Sequence, residues 1–223
     1  MSGFRLKSIG MNNKSSAVIR LLLVENQTLA RIGIKTILSG QNDIQIVGEA
    51  ETGAEGLDMF RKLKPDVTIL SLRLPDSCAI DVLEDYFGEN GRAKILILAE
   101  HAGDAEISRS LKKGASGYVC KDVSENELIK AIRAVNAGGK YIPADIAGIL
   151  SENFGQEELT PAERKILQMI VGGNSNKEIA FDLNVSENTV KTHVKNVFEK
   201  LGVSDRTSAA TLAIKRGLVR IDI

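Results

Sequence analysis

The sequence predicts a doubly wound α/β domain built on a parallel sheet, followed by a small all-α domain. Three observations carry that expectation. From Val18 onward, short apolar runs alternate with amphipathic segments. The runs are apolar almost without interruption, as strands are when helices cover both faces of a parallel sheet. From Leu159 onward the apolar residues recur instead at spacings of three and four, the period of helices that bury one face. A chain of 223 residues is long enough for two modest domains, each with its own core.

Residues 1–17 mix Ser, Asn, Lys and Gly without period and read as a flexible arm. A second methionine, Met11, leaves the start open between Met1 and Met11. Strands are expected over 19–24, 44–48, 67–70, 94–99 and 117–120, with helices between them, the last two over about 104–113 and 124–136. This α/β domain is assigned to residues 18–137. Residues 138–158, with Gly, Pro and acidic side chains, read as a linker carrying a short helix around 144–154, and 159–223 form the all-α domain.

The second domain reads turn by turn. Thr160 and Glu163 have the spacing of a capping box, with Pro161 at the first helical position, so a helix starts there, points Ile166, Leu167 and Ile170 inward and ends at Gly172 and Gly173. Residues 176–183 form a second short helical pattern with Ile179, Ala180 and Leu183 apolar, and Asn184 and Val185 make a tight connection. Ser186 then stands as the N-cap, and Gly202 as the left-handed C-terminal residue, of one longer helix. Val190, Val194, Val197 and Leu201 share its inner face, leaving Thr189, Lys191, Thr192, Lys195 and Asn196 on a cationic, donor-rich outer one. Helix, short turn and helix with such a face suit a DNA major groove. On periodicity alone, an ordinary surface helix pair is the rival. A last helix over 205–216 carries Ala209, Ala210, Leu212 and Ala213, small residues that permit close approach in a dimer or packing within the monomer.

Composition narrows the function. Lys plus Arg and Asp plus Glu both number 29, so the chain is no general polyanion binder, and nucleic-acid contact must come from a local patch, for which Lys177, Lys191, Lys195, Lys200 and Arg206 are the candidates. With 4% aromatics and no Trp, platforms for stacking single strands are scarce, which favours duplex DNA. There is no P-loop, no GxGxxG after the first strand and no nucleophile–base pair, and the histidines are only His101 and His193, so an enzyme is not expected. No apolar run of about 18 residues and no signal-peptide pattern occurs, which argues against membrane insertion or export and for the cytoplasm. Cys78 and Cys120 lie far apart without metal-ligand spacing and are expected as ordinary small side chains; no metal or cofactor is expected.

Leu159 to Arg164, Gly173 to Ala180, Val185 to Val194 and Lys200 to Val203 closely resemble the LuxR-type helix-turn-helix, over roughly 159–219. Residues 18 to about 143 resemble the receiver domain of bacterial response regulators, through Leu72-Arg73-Leu74-Pro75, Lys112-Lys113-Gly114-Ala115, Lys121-Asp122 and Gly138-Gly139-Lys140. Together the two halves are similar to the NarL/FixJ class. The resemblance implies that receivers pair through the helices over about 104–113 and 124–136 and the fifth strand, a face whose apolar members here are Ala105, Ile107, Leu111, Ile129, Ile132 and Val135, most of them expected in the monomer core. The resemblance implies that Lys191, Thr192 and Lys195 meet base edges, that Asn176, Lys177, Thr189, His193 and Arg206 lie against phosphates, and that the last helix forms a homodimer contact on double-stranded DNA. For His193, packing or capping is the alternative.

Functional groups of doubly wound sheets collect beyond the carboxyl ends of the strands. There the resemblance implies an aspartate that accepts a phosphoryl group, two acidic residues that help hold Mg²⁺, a hydroxyl residue and a lysine. This chain has Ser71, then Glu25 with Asn26, then Ala99, and finally Lys121, of which the lysine keeps the pattern. One carboxylate makes a poor Mg²⁺ site, and a serine cannot form an acyl phosphate. The first domain therefore looks like a pseudo-receiver. The expected protein is a dimeric, sequence-specific transcription regulator independent of aspartyl phosphorylation, with Ser71 chemically idle and Lys121 and Glu25 kept as an ion pair. Alternatives are phosphorylation at Ser71 or another acceptor, and a receiver that binds a small ligand or a protein, as in an adaptor that no longer binds DNA.

Overall fold

The computed structural model describes residues 18–88, 93–101, 103–152 and 157–219; the N-terminal arm with Met1 and Met11 lies outside them. Five strands, β1 (Ile19–Val24), β2 (Ile44–Ala50), β3 (Val67–Ser71), β4 (Ile95–Ala99) and β5 (Gly117–Cys120), pair in parallel in the order β2-β1-β3-β4-β5. Helices α1 (Thr28–Ser39), α2 (Gly53–Leu63), α3 (Ala79–Phe87), α4 (Asp104–Lys112) and α5 (Glu125–Asn136) connect them.

Strand β1 shows why its run is continuously apolar. Leu21 and Leu23 pack with Ile34 and Leu38 of α1 and Ile129 and Ile132 of α5, whereas Leu22 and Val24 pack with Leu83 of α3 and Ile107 of α4 on the other side. Successive side chains alternate faces, so a strand covered on both sides must be apolar at every position. Ile107, Ile129, Ile132 and Val135, candidates for a pairing face, are buried in these two cores; Ala105 and Leu111 are half-buried.

Beyond α5 the chain stays with the sheet. Tyr141 N–H donates to the Ser116 carbonyl at 2.9 Å and the Tyr141 carbonyl accepts from Tyr118 N–H at 3.1 Å, extending the edge beside β5. Helix α6 (Ala144–Glu152) follows, with Ile146 buried in the core formed with α3 and α4. Part of the segment read as a linker is thus built into the first domain, because Tyr141 satisfies edge hydrogen bonds and Ile146 finds apolar cover.

Among the described residues, four helices make the second domain: α7 (Pro161–Val171), α8 (Asn176–Asp182), α9 (Glu187–Leu201) and α10 (Arg206–Lys215). Capping boxes start both α7, through Thr160 and Glu163, and α8, through Ser175 and Glu178. Asn184, at φ 53°, adopts the left-handed conformation that turns the chain from α8 into α9, a role Asn tolerates. Leu167, Ile170, Ile179, Val190, Val197 and Leu201 are buried, and Val194 is half-buried. Ala209 and Ala213 of α10 are fully covered in the cluster with Leu167 and Val197, so these alanines serve packing within the monomer. The outward face of α10 carries Thr207, Thr211 and Ile214.

The domains touch where α10 ends against the start of α4. Arg216 Nη2 and Nε approach the Asp104 carboxylate at 2.7 and 3.0 Å, and Ala105 packs on the second domain's core. Among the described residues, no helix is long and apolar enough to cross a membrane.

Candidate DNA-binding face and the cluster at the sheet's carboxyl edge

Helix α9 is fixed at both ends by local chemistry. Ser186 Oγ accepts from Thr189 N–H at 3.0 Å, and Gly202 closes the helix at φ 66°, its N–H donating to the last turn. Buried Val190, Val197 and Leu201 press one face on α7, α8 and α10, which leaves Glu187, Asn188, Thr189, Lys191, Thr192, Lys195 and Glu199 exposed. Lys191 and Lys195 each pair with a glutamate one turn away, Glu187 at 3.1 Å and Glu199 at 3.6 Å. Such exposed pairs contribute little and separate easily. A cleft of about 330 Å³ lies between α9 and the start of α8, lined by Asn176, Lys191, Val194, Lys195, Phe198, Glu199, Val203 and Ser204. It joins Asn176, at the amino end of α8, to the two lysines on α9.

The other residues named for phosphates occupy varied settings. Lys177 is exposed beside Asn176. The Thr189 hydroxyl is engaged with Ser186 Oγ at 2.8 Å. His193 is half-buried, with Nδ1 enclosed and without a hydrogen-bond partner among the described residues. Arg206 donates to the Asn174 carbonyl, tying the start of α10 to the loop before α8. Lys200 does not join the basic face: its side chain, 14% exposed, turns to Glu163 at 3.0 Å and Glu157 at 3.3 Å.

At the carboxyl edge of the sheet, the strand order reverses between β1 and β3, the crevice where doubly wound folds hold their functional groups. Glu25, Asn26 and Ser71 stand there, with Ala99 and Lys121 from β4 and the end of β5. Glu25 is fully buried; its Oε1 accepts from Gln27 N–H at 2.7 Å and from Lys121 Nζ at 3.1 Å, and its Oε2 lies 3.0 Å from the same ammonium. Lys121, 12% exposed, is held on its other side by Glu100 at 3.0 Å, and Gln27 Nε2 donates to Glu100 at 2.7 Å. Burial works against the Glu100 charge, but hydrogen bonds from Lys121 and Gln27 and the Lys121 charge hold its carboxyl below the ordinary glutamate range. Ser71 is 1% exposed and its hydroxyl donates to the Arg73 carbonyl at 3.2 Å. Ala99 is buried, and Tyr118 is turned inward with its hydroxyl donating to the His101 carbonyl at 3.1 Å.

These residues do not fit Mg²⁺. The carboxylates of Glu25 and Glu100 are both neutralised by Lys121, and Asn26 adds a single enclosed amide oxygen without a donor among the described residues. Mg²⁺ dehydrates reluctantly and favours several anionic oxygens. Gln27 and Glu100 complete the cluster; Glu100 stands at a strand end directly after Ala99, where its position is legible in the sequence but its pairing with Lys121 is not, and Gln27 carries no sequence signal. Arg73, two residues beyond Ser71, pairs with Glu106 of α4 and donates to Cys78 Sγ at 3.6 Å, contacts that the sequence does not indicate.

Comparison with known proteins agrees with this architecture. The family described as "Bacterial regulatory proteins, luxR family" matches residues 157–213, and "Response regulator receiver domain" matches residues 21–133. The transcriptional regulatory protein MctR of Rhizobium johnstonii is 36% identical over 204 residues, which are 90% of this chain and 95% of MctR. The nitrate/nitrite response regulator protein NarL of Escherichia coli strain K12 is 31% identical over 209 residues, 90% of this chain and 96% of NarL. Among solved structures, the response regulator ChrA of a heme-sensing two-component system aligns with TM-score 0.54 at 31% identity, covering 91% of this chain and 99% of ChrA. A complex of the response regulator RcsB with DNA aligns with TM-score 0.68 at 24% identity, covering 89% and 98%, a likeness of fold.

Proposed function

Since this chain belongs to the response regulators of the NarL/FixJ class, with a receiver fold followed by a LuxR-type helix-turn-helix, we propose that it binds specific duplex DNA sequences as a dimer and does so independently of aspartyl phosphorylation. Lys191, Thr192 and Lys195 on the exposed side of α9 contact base edges, while Asn176 and Lys177 at the start of α8 hold phosphates. Thr189, His193 and Arg206 are the neighbouring candidates, though the engaged Thr189 hydroxyl and the Arg206 tie to Asn174 favour structural duties for those two. The dimer contact runs along the outward face of α10, through Thr207, Thr211 and Ile214. The division into 18–137, 138–158 and 159–223 is retained, with α6 docked on the first unit.

The observation that carries the phosphorylation-independent part is the closed cluster. Lys121 is spent between Glu25 and Glu100, and the position of the usual acceptor is a buried serine whose hydroxyl already serves Arg73. No carboxylate is available to form an acyl phosphate there, and the cation that would assist it has a poor donor set. A switch that reads a phosphoryl group needs differential contacts in two states. Ala99 and the inward Tyr118 offer none. The same burial counts against Ser71 as the target of a separate kinase.

Incubating the full-length protein with acetyl phosphate and Mg²⁺, followed by intact mass and DNA affinity, tests the reading. Unchanged mass and unchanged affinity are expected, with the untreated protein already binding as a dimer. A gain of one phosphate together with tighter binding would overturn it and call for a different acceptor.

A further inference from the structure

The outermost line of α9 contains a residue that neither the charge pattern nor the lysines bring to notice. Asn188, Thr192, Lys195 and Glu199 follow one another at spacings of four, three and four, directly opposite buried Val190, Val197 and Leu201. Asn188 sits on the first turn, the part of a recognition helix that reaches deepest toward base edges.

The neighbours of Asn188 are already committed. The Thr189 hydroxyl is hydrogen-bonded with Ser186 Oγ, and Thr192 Oγ1 donates to the Asn188 carbonyl at 3.1 Å. Lys191 and Lys195 are each opposed by a glutamate. The Asn188 side-chain amide, by contrast, is exposed and makes no hydrogen bond among the described residues. It has no internal partner to give up on meeting DNA.

Resting on the DNA-binding reading above, we propose that Asn188 is a specificity-determining residue that reads adenine in the major groove. A carboxamide presents one acceptor and one donor side by side, which match the adenine N6 amino group and N7; a lysine matches guanine instead. Thr192 complements it. With its hydroxyl turned back to the helix, the outward group is its methyl, suited to the thymine methyl. One helical turn separates the two residues, a rise of about 6 Å, which spans about two base pairs. The chain thereby carries an A·T reader on the first turn ahead of the guanine-directed Lys195, and Glu199 closes the line with a charge that repels phosphate.

The test begins with selection of binding sites from a random duplex library by the full-length protein and by Asn188→Ala. Alanine is tolerated at an exposed helical position and leaves the Ser186 cap intact. The wild-type protein should select an adenine at one fixed position per half-site, and the variant should lose that preference. Its affinity for the selected duplex should fall roughly five- to 150-fold, with unchanged affinity for random duplex and an unchanged salt slope, since no phosphate contact is removed. Replacing the selected adenine by 7-deazaadenine, which deletes the N7 acceptor, should weaken the wild-type protein and leave the variant unaffected. Retained adenine preference in the variant, or an equal loss on every duplex, would overturn the assignment. Failure of the wild-type protein to bind any duplex would overturn the underlying DNA-binding reading, and is recognised without the variant.

Discussion

Glu163 performs two tasks with one oxygen. Its Oε2 accepts from Thr160 N–H at 2.8 Å, closing the capping box of α7, and from Lys200 Nζ at 3.0 Å. Burial opposes the charge of this nearly enclosed carboxyl, but the Thr160 hydrogen bonds and Lys200 outweigh it and keep the group below the ordinary glutamate range. A depressed carboxyl pKa in the folded state gives stability that is present above the unfolded value and lost as pH falls through the folded one. Urea unfolding of Glu163→Gln should show a loss of about 1–2 kcal/mol at neutral pH, because the amide keeps an acceptor for Thr160 but not the charge facing Lys200. The difference from wild type should shrink as pH descends below the ordinary glutamate range; a difference constant with pH would sink the electrostatic account. The capping box was legible from the spacing of Thr160 and Glu163 alone, since both partners lie within four residues. Lys200 was not: it reads as one more cation beside Lys191 and Lys195, and only the fold brings it to Glu163, 37 residues away.

Elements whose ends are set by local chemistry were read closely from sequence. Ser186 caps α9 and Gly202 ends it, as the serine and glycine alone indicate, and the five strands follow their apolar runs. Gly202 offers a clean check of that logic. It holds φ 66° and ψ 33°, and no heavy atom lies within 4 Å of where a Cβ would stand, so an added methyl meets no clash. The cost of Gly202→Ala should then be purely conformational, about 1 kcal/mol. A lower urea midpoint with an unchanged slope is expected, and a loss of several kcal/mol would mean that the turn does more than end a helix. Elements defined by contact were harder to foresee. Helix α6 reads from the sequence as a helix within a linker, but its burial through Ile146 depends on partners far along the chain. The alanines of α10 left dimer and monomer packing open, since small side chains suit both; α7 and α9 cover Ala209 and Ala213. The ion-paired crevice is half legible: Glu25, Ser71, Ala99, Glu100 and Lys121 fall at strand ends, whereas Gln27 joins them, and Glu100 finds Lys121, only through side-chain reach.

The whole molecule is held together by an end-to-end meeting of two helices from different domains. The Arg216 carbonyl, at the negative end of α10, accepts from Ala105 N–H in the first turn of α4 at 3.1 Å, so a free donor and a free acceptor of two helix ends satisfy each other. Arg216 and Asp104 then clasp side chain to side chain, and Arg109 donates to the Gly217 carbonyl at 2.8 Å. Gly217 holds φ 64°, and a Cβ there would stand 2.7 Å from the Glu106 side chain, so the close approach requires glycine. Glu106 also pairs with Arg73, on the loop that follows Ser71. One carboxylate thus borders both the crevice loop and the DNA-binding domain, a physical link that needs no phosphate. Side chains of Asp104 and Arg216 are 8% and 15% exposed, and removing one partner of so enclosed a pair leaves the other charge buried without compensation. Arg216→Ala should therefore separate the domains while each keeps its own core. Small-angle scattering should show a larger radius of gyration than wild type, and protease should cleave faster between α6 and α7, with the charge-retaining Arg216→Lys intermediate in both. An alanine variant as compact and as resistant as wild type would mean that the apolar contact of Ala105 and the backbone bonds suffice, and that the clasp is incidental to how the two domains are coupled.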